Sequence, residues 1–233
     1  MCDGTAYLKM PTPINNQHSQ AVLFSSAYLG SVRYYAALLR AGANAIIDTG
    51  ERIGRHSWMH NHCRIMGANG LQLLTVPVEH VDSAGGLLVR DLRISAHGDW
   101  RRVHWGAIFS AYGKAPFFEY AEDDLRAVYD HDYKWLVDFN VALHGMVVDF
   151  LDLPITAAVA DCAAMSSSCA IDLRGRIGGK KHDADDGIVD VPYYSVWDER
   201  HGFVPSLSII DLLMNCGREA VFVLHKMLNG ILI

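Results

Sequence analysis

Asp99-Trp100-Arg101-Arg102-Val103-His104-Trp105 opens an aromatic helix, and the stretch it begins, residues 99 to 140, decides how this chain is read. A Gly-x-x-Pro break from Gly113 to Pro116 ends that helix. Phe117-Phe118-Glu119-Tyr120 starts a second, and Asp138-Phe139-Asn140 sits in a third. Trp100, Val103, His104, Ala107, Ile108 and Ala111 recur at the spacing of one helix face, and Leu136, Phe139, Leu143, Val147, Phe150 and Leu151 repeat the pattern. Helices are expected over residues 99 to 112, 117 to 131 and 134 to 152. The pattern sets His104 between Trp100 and Trp105. A polar group so placed needs a partner or a chemical role.

Toward the amino end, strand character dominates. Residues 21 to 29 are apolar and small enough for a buried strand, which Gly30 breaks. Ser31 is a natural N-cap for a helix over residues 31 to 41, closed by Gly42. Residues 45 to 48 read as a short strand and 52 to 66 as a long one. Asn69-Gly70 marks a hairpin, returning along residues 71 to 78 with Pro77 near an edge or end. A further strand is expected over residues 87 to 95. Beyond the three helices, residues 170 to 173 and 191 to 197 have strand character, 175 to 187 suit a loop, and 205 to 215 suit a helix. Another helix follows Gly217. Strands first and helices later predict an α+β fold without βαβ regularity: a mixed or antiparallel sheet from the N-terminal half, covered by helices from the C-terminal half. Residues 1 to 20 read as a polar lead and 21 to 233 as a single domain.

Composition narrows the functional classes. With 51% hydrophobic and 20% charged residues, the chain is globular in type, neither disordered nor membrane-like. A net charge of -6 argues against non-specific nucleic-acid binding, which needs a basic surface. No signal peptide and no membrane span are expected. Cys2, Cys63, Cys162, Cys169 and Cys216 are scattered and odd in number, which suits free thiols in a reducing, cytoplasmic compartment. The sequence carries no GxxxxGK[ST] loop, no GxGxxG after a strand and no GxSxG elbow, and no cofactor is expected. Gly175-Arg176-Ile177-Gly178-Gly179-Lys180 reads as a surface loop.

Several motifs together resemble the WbqC-like family of bacterial proteins. They are Tyr28-Leu29-Gly30 followed by Tyr34-Tyr35-Ala36; Asn61-x-Cys63-Arg64-Ile65 running into Asn69-Gly70 and Leu74-Thr75-Val76-Pro77-Val78; Trp100 through Asn140; and Phe203-x-Pro205-x-Leu207-Ser208-Ile209-x-Asp211-Leu212-Leu213-x-Asn215-x-Gly217. Family members are typically encoded among genes for surface-polysaccharide synthesis, O-antigen above all. The resemblance implies a transferase acting on an amino or nucleotide sugar, so the partner it implies is a small-molecule activated sugar. Where relatives carry a Tyr-Arg-Asn-Arg-Cys-like run, this chain has Trp58-Met59-His60-Asn61-His62-Cys63, with histidine replacing arginine.

The residues that carry chemistry fall into groups. His104 is placed to act as general base, against the plainer reading of a core-edge histidine bonded to a backbone carbonyl. Arg64, with Asn61, is the candidate anion holder, and Trp58, Trp100 or Trp105 would stack on a sugar face. Arg93 and Arg174 are alternatives to Arg64, unless they pair structurally with Asp91 and Asp172. Asp138, Asn140, Asp211 and Asn215 complete the candidate binding set, although Ser208-x-x-Asp211 also fits a helix cap. On a strand, His56, His60 and His62 would share a face and could bind zinc, which underlies a weaker reading as a metal-dependent hydrolase. Cys63 is a possible nucleophile or core filler. A non-catalytic binding or scaffold protein of the same pathway is the other alternative. The expected pocket lies between the strand at 56 to 66 and the helix at 99 to 112.

Overall fold

The computed structural model describes residues 20–54, 58–79, 86–163, 170–177 and 187–229. Strand β1 (Ala21–Ser25) buries its Leu23-Phe24-Ser25 end. Ser31 then caps helix α1 (Val32–Ala41), its Oγ accepting from the Tyr34 N–H at 3.1 Å. Gly42 ends the helix with φ of 56°, a conformation that disfavours any side chain, and its N–H returns to the Leu38 carbonyl. Strand β2 (Ala45–Asp48) comes back parallel to β1.

A hairpin follows, with β3 (His62–Gly67) and β4 (Gly70–Thr75) antiparallel around Asn69-Gly70, where Gly70 takes φ of 103°. Three helices succeed it: α2 (Trp100–Tyr112), α3 (Phe118–Asp130) and α4 (Leu136–Leu151). Short strands β5 (Ala158–Ala160) and β6 (Ala170–Asp172) precede helices α5 (Asp198–His201), α6 (Ile209–Cys216) and α7 (Ala220–Asn229). The fold is α+β. A four-stranded sheet in the order β5-β2-β1-β6 has every neighbouring pair parallel, and the β3–β4 ribbon stands apart from it. Among the described residues, no helix is long and apolar enough to cross a membrane.

Four sequence expectations change. First, β1–α1–β2 is a βαβ unit, where no βαβ regularity was expected. The sheet also recruits β5 and β6 from the second half; at three residues each they are too short to leave a periodic signal. Second, the long strand over 52 to 66 reduces to β3. Trp58–His60 forms a 3-10 turn whose His60 Nδ1 bonds the Ser26 carbonyl at 2.6 Å, which tethers the chain away from an extended path. Third, residues 191 to 197 are not a strand. Their backbone is held by side chains instead, with Val196 N–H donating to Asn215 Oδ1 at 3.0 Å and Ser195 N–H to Asp198 Oδ2 at 2.8 Å. Fourth, residues 87 to 95 form bridges around a 3-10 turn, Val89–Asp91.

The core joins both halves through aromatic rings. Phe139 of α4 is fully buried and meets Tyr28, Trp100, Tyr129 and Tyr133 with ring centroids 5.5 to 5.8 Å apart. Truncating such a residue loses its transfer energy and leaves a void. Phe139→Ala is expected to cost about 3–5 kcal/mol, read as a shift of the urea midpoint at unchanged m-value.

Candidate functional site

The start of α1 and the start of α6 converge on one small cavity. Leu29, just before Gly30 and the Ser31 cap, has φ of 43°, and Ser206 has φ of 56°. Ser208 caps α6 by accepting from the Ile210 N–H, and its hydroxyl donates to the Leu29 carbonyl at 2.8 Å. Val32 N–H reaches the Leu207 carbonyl at 2.9 Å, Ile209 N–H the Gly30 carbonyl at 2.8 Å, and Ser208 N–H the Arg64 carbonyl at 2.8 Å. These bonds tie β1, α1, β3 and α6 at one point. The cavity between them is about 20 Å3, and Leu29, Gly30, Trp58, His62, Arg64 and Ser206 are among its walls. Left-handed backbone at a residue other than glycine costs about 1–3 kcal/mol and tends to be kept at functional sites. Of the three such residues described, Leu29 and Ser206 line this cavity, and Asp152 ends α4.

Its electrostatics are one-sided. The Arg64 guanidinium lies 5.5 Å over the Trp58 ring, and its Nη2 donates to the Ser206 carbonyl at 3.2 Å. Arg64 Nε and Trp58 Nε1 are both buried without a hydrogen-bond partner. Among the described residues, no carboxylate pairs with Arg64. Burial holds its pKa below the ordinary arginine value. The positive ends of α1 and α6 add to this field. A half-buried cation and two unmet donors suit an anion.

The other residues singled out in the sequence are dispersed. Asn61 Nδ2 donates to the Val76 carbonyl at 2.9 Å and braces the hairpin. His104 is 4% exposed. Its Nδ1 bonds Tyr28 Oη at 2.8 Å, and the Thr75 backbone forms a second hydrogen bond with the ring. Tyr28 Oη in turn bonds Tyr129 Oη and contacts Cys63. Trp100 packs on this network, and Trp105 packs against Phe118 and Tyr129. The geometry therefore gives His104 a place in a hydrogen-bonded core, with its Nδ1 held by Tyr28. Helix α2 and β3 pack directly on each other where the pocket was expected. Burial also pushes the Cys63 thiol far up, which disfavours a thiolate nucleophile.

Asp138 is exposed, whereas Asn140 is 2% exposed and bonds Ser26 and His60. Asp211 accepts from Tyr112 Oη at 2.9 Å and Tyr193 Oη at 2.7 Å, and Asn215 binds the backbone of Val196 and Asp211. That pair anchors the 193–196 segment to α6. His56 lies outside the described residues. His60 and His62 do not share a strand face, because β3 begins only at His62. Among the described residues, no cluster of three or more metal-ligating side chains is present.

Arg174 spans the carboxyl ends of the parallel strands. It bonds Asp172 through Nε at 2.9 Å and Nη2 at 2.6 Å, and Asp48 through Nη1 at 2.6 Å. Parallel sheets usually bind ligands at this end, where strand order reverses, which here is between β1 and β6. That crevice is filled by the protein's own ion pairs. Arg93 pairs with Glu79 at 3.7 Å, not with Asp91. Arg64 and Trp58, both singled out in the sequence, line the small cavity together with Leu29 and Ser206, whose backbone geometry leaves no composition signal. The two caps, Ser31 and Ser208, were legible singly; their meeting was not.

The buried network carries a pH signature. Desolvation lowers the His104 pKa to about 4, with the Thr75 backbone bond opposing. Its folded value lies below its unfolded one, so its contribution to stability is complete above about pH 6.5. That contribution fades as pH falls through 4. Asp211 acts in the opposite sense: desolvation raises it to about 6, so it gains a proton on folding in the window below that value. His104→Gln is expected to lose about 1–3 kcal/mol at pH 7. It should also flatten the fall in stability between pH 6.5 and 4 by about one proton. Urea unfolding across that range measures both.

Comparison with known proteins places the chain. Residues 26–181 match the model of the WbqC-like protein family. The chain is 27% identical over 194 residues to the uncharacterised protein Rv1507c of Mycobacterium tuberculosis (strain ATCC 25618 / H37Rv), covering 71% of this chain and 80% of that protein. No solved structure shows significant similarity. The matched segment takes in α1, β2, the Trp58–Arg64 wall, the aromatic helices and Arg174, which is most of the fold's framework. The chain belongs to the WbqC-like protein family.

Proposed function

We propose that this protein is a cytoplasmic transferase of bacterial surface-polysaccharide assembly, of the O-antigen type, acting on an amino or nucleotide sugar. The observation that carries the reading is the half-buried Arg64 guanidinium, which has no carboxylate partner among the described residues and faces a cavity between two helix N-termini. An activated sugar carries phosphate, and phosphate is what such a group of donors recognises. Trp58 offers a flat apolar face to a sugar ring beside it. At about 20 Å3 the cavity has room for water only, so a sugar phosphate enters by displacing the Trp58 indole from the Arg64 guanidinium.

A second reading, a non-catalytic binding or scaffold protein of the same pathway, draws on one observation. His104, the strongest base candidate in the sequence, is 4% exposed and has its Nδ1 bonded to Tyr28 inside the core. That reading keeps the Arg64 cavity as a ligand site and dispenses with turnover. The hydrolase reading keeps only His60 and His62 among the described residues, and their rings serve different neighbours.

Titration with nucleoside diphosphate sugars, followed by calorimetry and tryptophan fluorescence, tests the proposal. Binding is expected to quench Trp58, and Trp58→Phe should remove that signal. Arg64→Met should weaken affinity by about tenfold to a hundredfold, the range for one charge-assisted hydrogen-bonding group, with thermal unfolding little changed. Equal affinity in wild type and Arg64→Met would remove the site. Binding without any transfer to saccharide acceptors would favour the scaffold.

A further inference from the structure

A second group of polar side chains is buried beyond the end of β1, away from Arg64. His60 is 1% exposed, Asn140 2% and Glu51 8%. Three of their atoms, His60 Nε2, Glu51 Oε2 and Asn140 Oδ1, are buried and have no hydrogen-bond partner. Their protonation follows from their neighbours. His60 Nδ1 lies 2.6 Å from the Ser26 carbonyl oxygen, which can only accept, so Nδ1 carries a hydrogen. In the neutral ring Nε2 is then an acceptor. It faces Glu51 Oε2 at 3.6 Å, another acceptor, across a gap too long for a direct hydrogen bond. Asn140 is oriented the same way: its Nδ2 donates to the His60 carbonyl at 2.8 Å and to Ser26 Oγ at 3.0 Å, which leaves Oδ1 as the acceptor.

Three buried acceptors, one of them a carboxylate, call for a group with several hydrogens and a positive charge. We propose that Glu51, His60 and Asn140 form a binding site for an ammonium group, either the free ion or the head of a primary amine. An ammonium group supplies at least three N–H donors and a full positive charge beside the Glu51 carboxylate. Of the three, Asn140 lines a cavity of about 10 Å3, the room of one water or one ammonium ion, together with Ser26, Tyr34, Tyr35 and His144. Glu51 is electrostatically close to this cavity, since its charge helps to raise the phenol of Tyr34, one of the walls. The Tyr34 hydroxyl donates to the Ser25 carbonyl at 2.8 Å, so its hydrogen is not directed at Glu51.

The site itself stands on this geometry; its use rests on the proposed sugar transfer. After one N–H proton passes to solvent, the bound nitrogen is the nucleophile for an activated sugar: its C–N bond forms as the C–O bond to the departing phosphate breaks, and the surplus proton leaves with that phosphate.

The test uses the full chain with ammonium chloride labelled with 15N, against sodium chloride at equal ionic strength, and with glucosamine against glucose. Expected is a bound 15N ammonium resonance protected from exchange, with a shift of the His60 Nε2 signal, and at least tenfold weaker binding in Glu51→Gln. A response to ammonium alone identifies the free ion; a preference for glucosamine over glucose identifies the amine head. If sodium and ammonium act alike and glucosamine does no more than glucose, the acceptors hold a structural water and the proposal fails. It fails equally if the wild-type His60 Nε2 signal does not respond to either probe, a readout that does not depend on the variant folding. Arg64→Met is expected to leave ammonium binding unchanged while weakening phosphate-bearing ligands, so loss of one site is distinguishable from loss of the other.

Discussion

The clasp between Leu29–Val32 and Leu207–Ile209 is the constraint on which the rest of the structure depends. Three backbone hydrogen bonds and the Ser208 hydroxyl join the turn after β1, the capped start of α6 and, through the Arg64 carbonyl, strand β3. Each partner comes from a different part of the chain, so the clasp fixes the parallel sheet, the hairpin and the carboxyl-terminal helices relative to one another. It also holds Leu29 and Ser206 in left-handed backbone, which local propensity alone would not choose. A network that forces strain at two positions and points a cation into the space between them is doing more than closing a fold.

The aromatic cluster has a different task. Tyr28 and Trp100 pack on His104, and Tyr28 Oη bonds its Nδ1, which sets the imidazole among the rings of the helical core. Tyr28 belongs to the same turn as Leu29, so the cluster and the clasp share a backbone. Packing of the helical half therefore supports the geometry at Arg64 without touching it. Asp211 and Asn215 serve a related end by pinning residues 193 to 196 onto α6, whose amino end supplies Ser208.

Much of this was legible in the sequence. The helices α1 to α4, the hairpin at Asn69-Gly70 and the strand at Ala45–Asp48 follow from spacing, caps and turn residues, because each is a local decision. Ser31 was identifiable as a cap for the same reason. The parallel sheet was hidden: its outer strands β5 and β6 are three residues long, and their pairing is set by contacts more than a hundred positions away along the chain. Helical spacing placed His104 on a buried face without saying whether that face meets ligand or protein. Arg64 and Trp58 stand out in the sequence because a guanidinium and an indole beside an apolar strand are costly without a purpose. The acceptors Glu51, His60 and Asn140 were not recoverable as a group, as their meeting depends on the 3-10 turn that replaced the expected strand.

Crystals of the protein grown with a nucleoside diphosphate sugar, or soaked in pyrophosphate, test the central claim most directly. The account predicts an ordered phosphate bonded to Arg64 Nε between the starts of α1 and α6, with the Trp58 indole moved off the guanidinium. An Arg64 side chain that stays stacked on Trp58 at saturating ligand, with phosphate bound elsewhere or not at all, would contradict it.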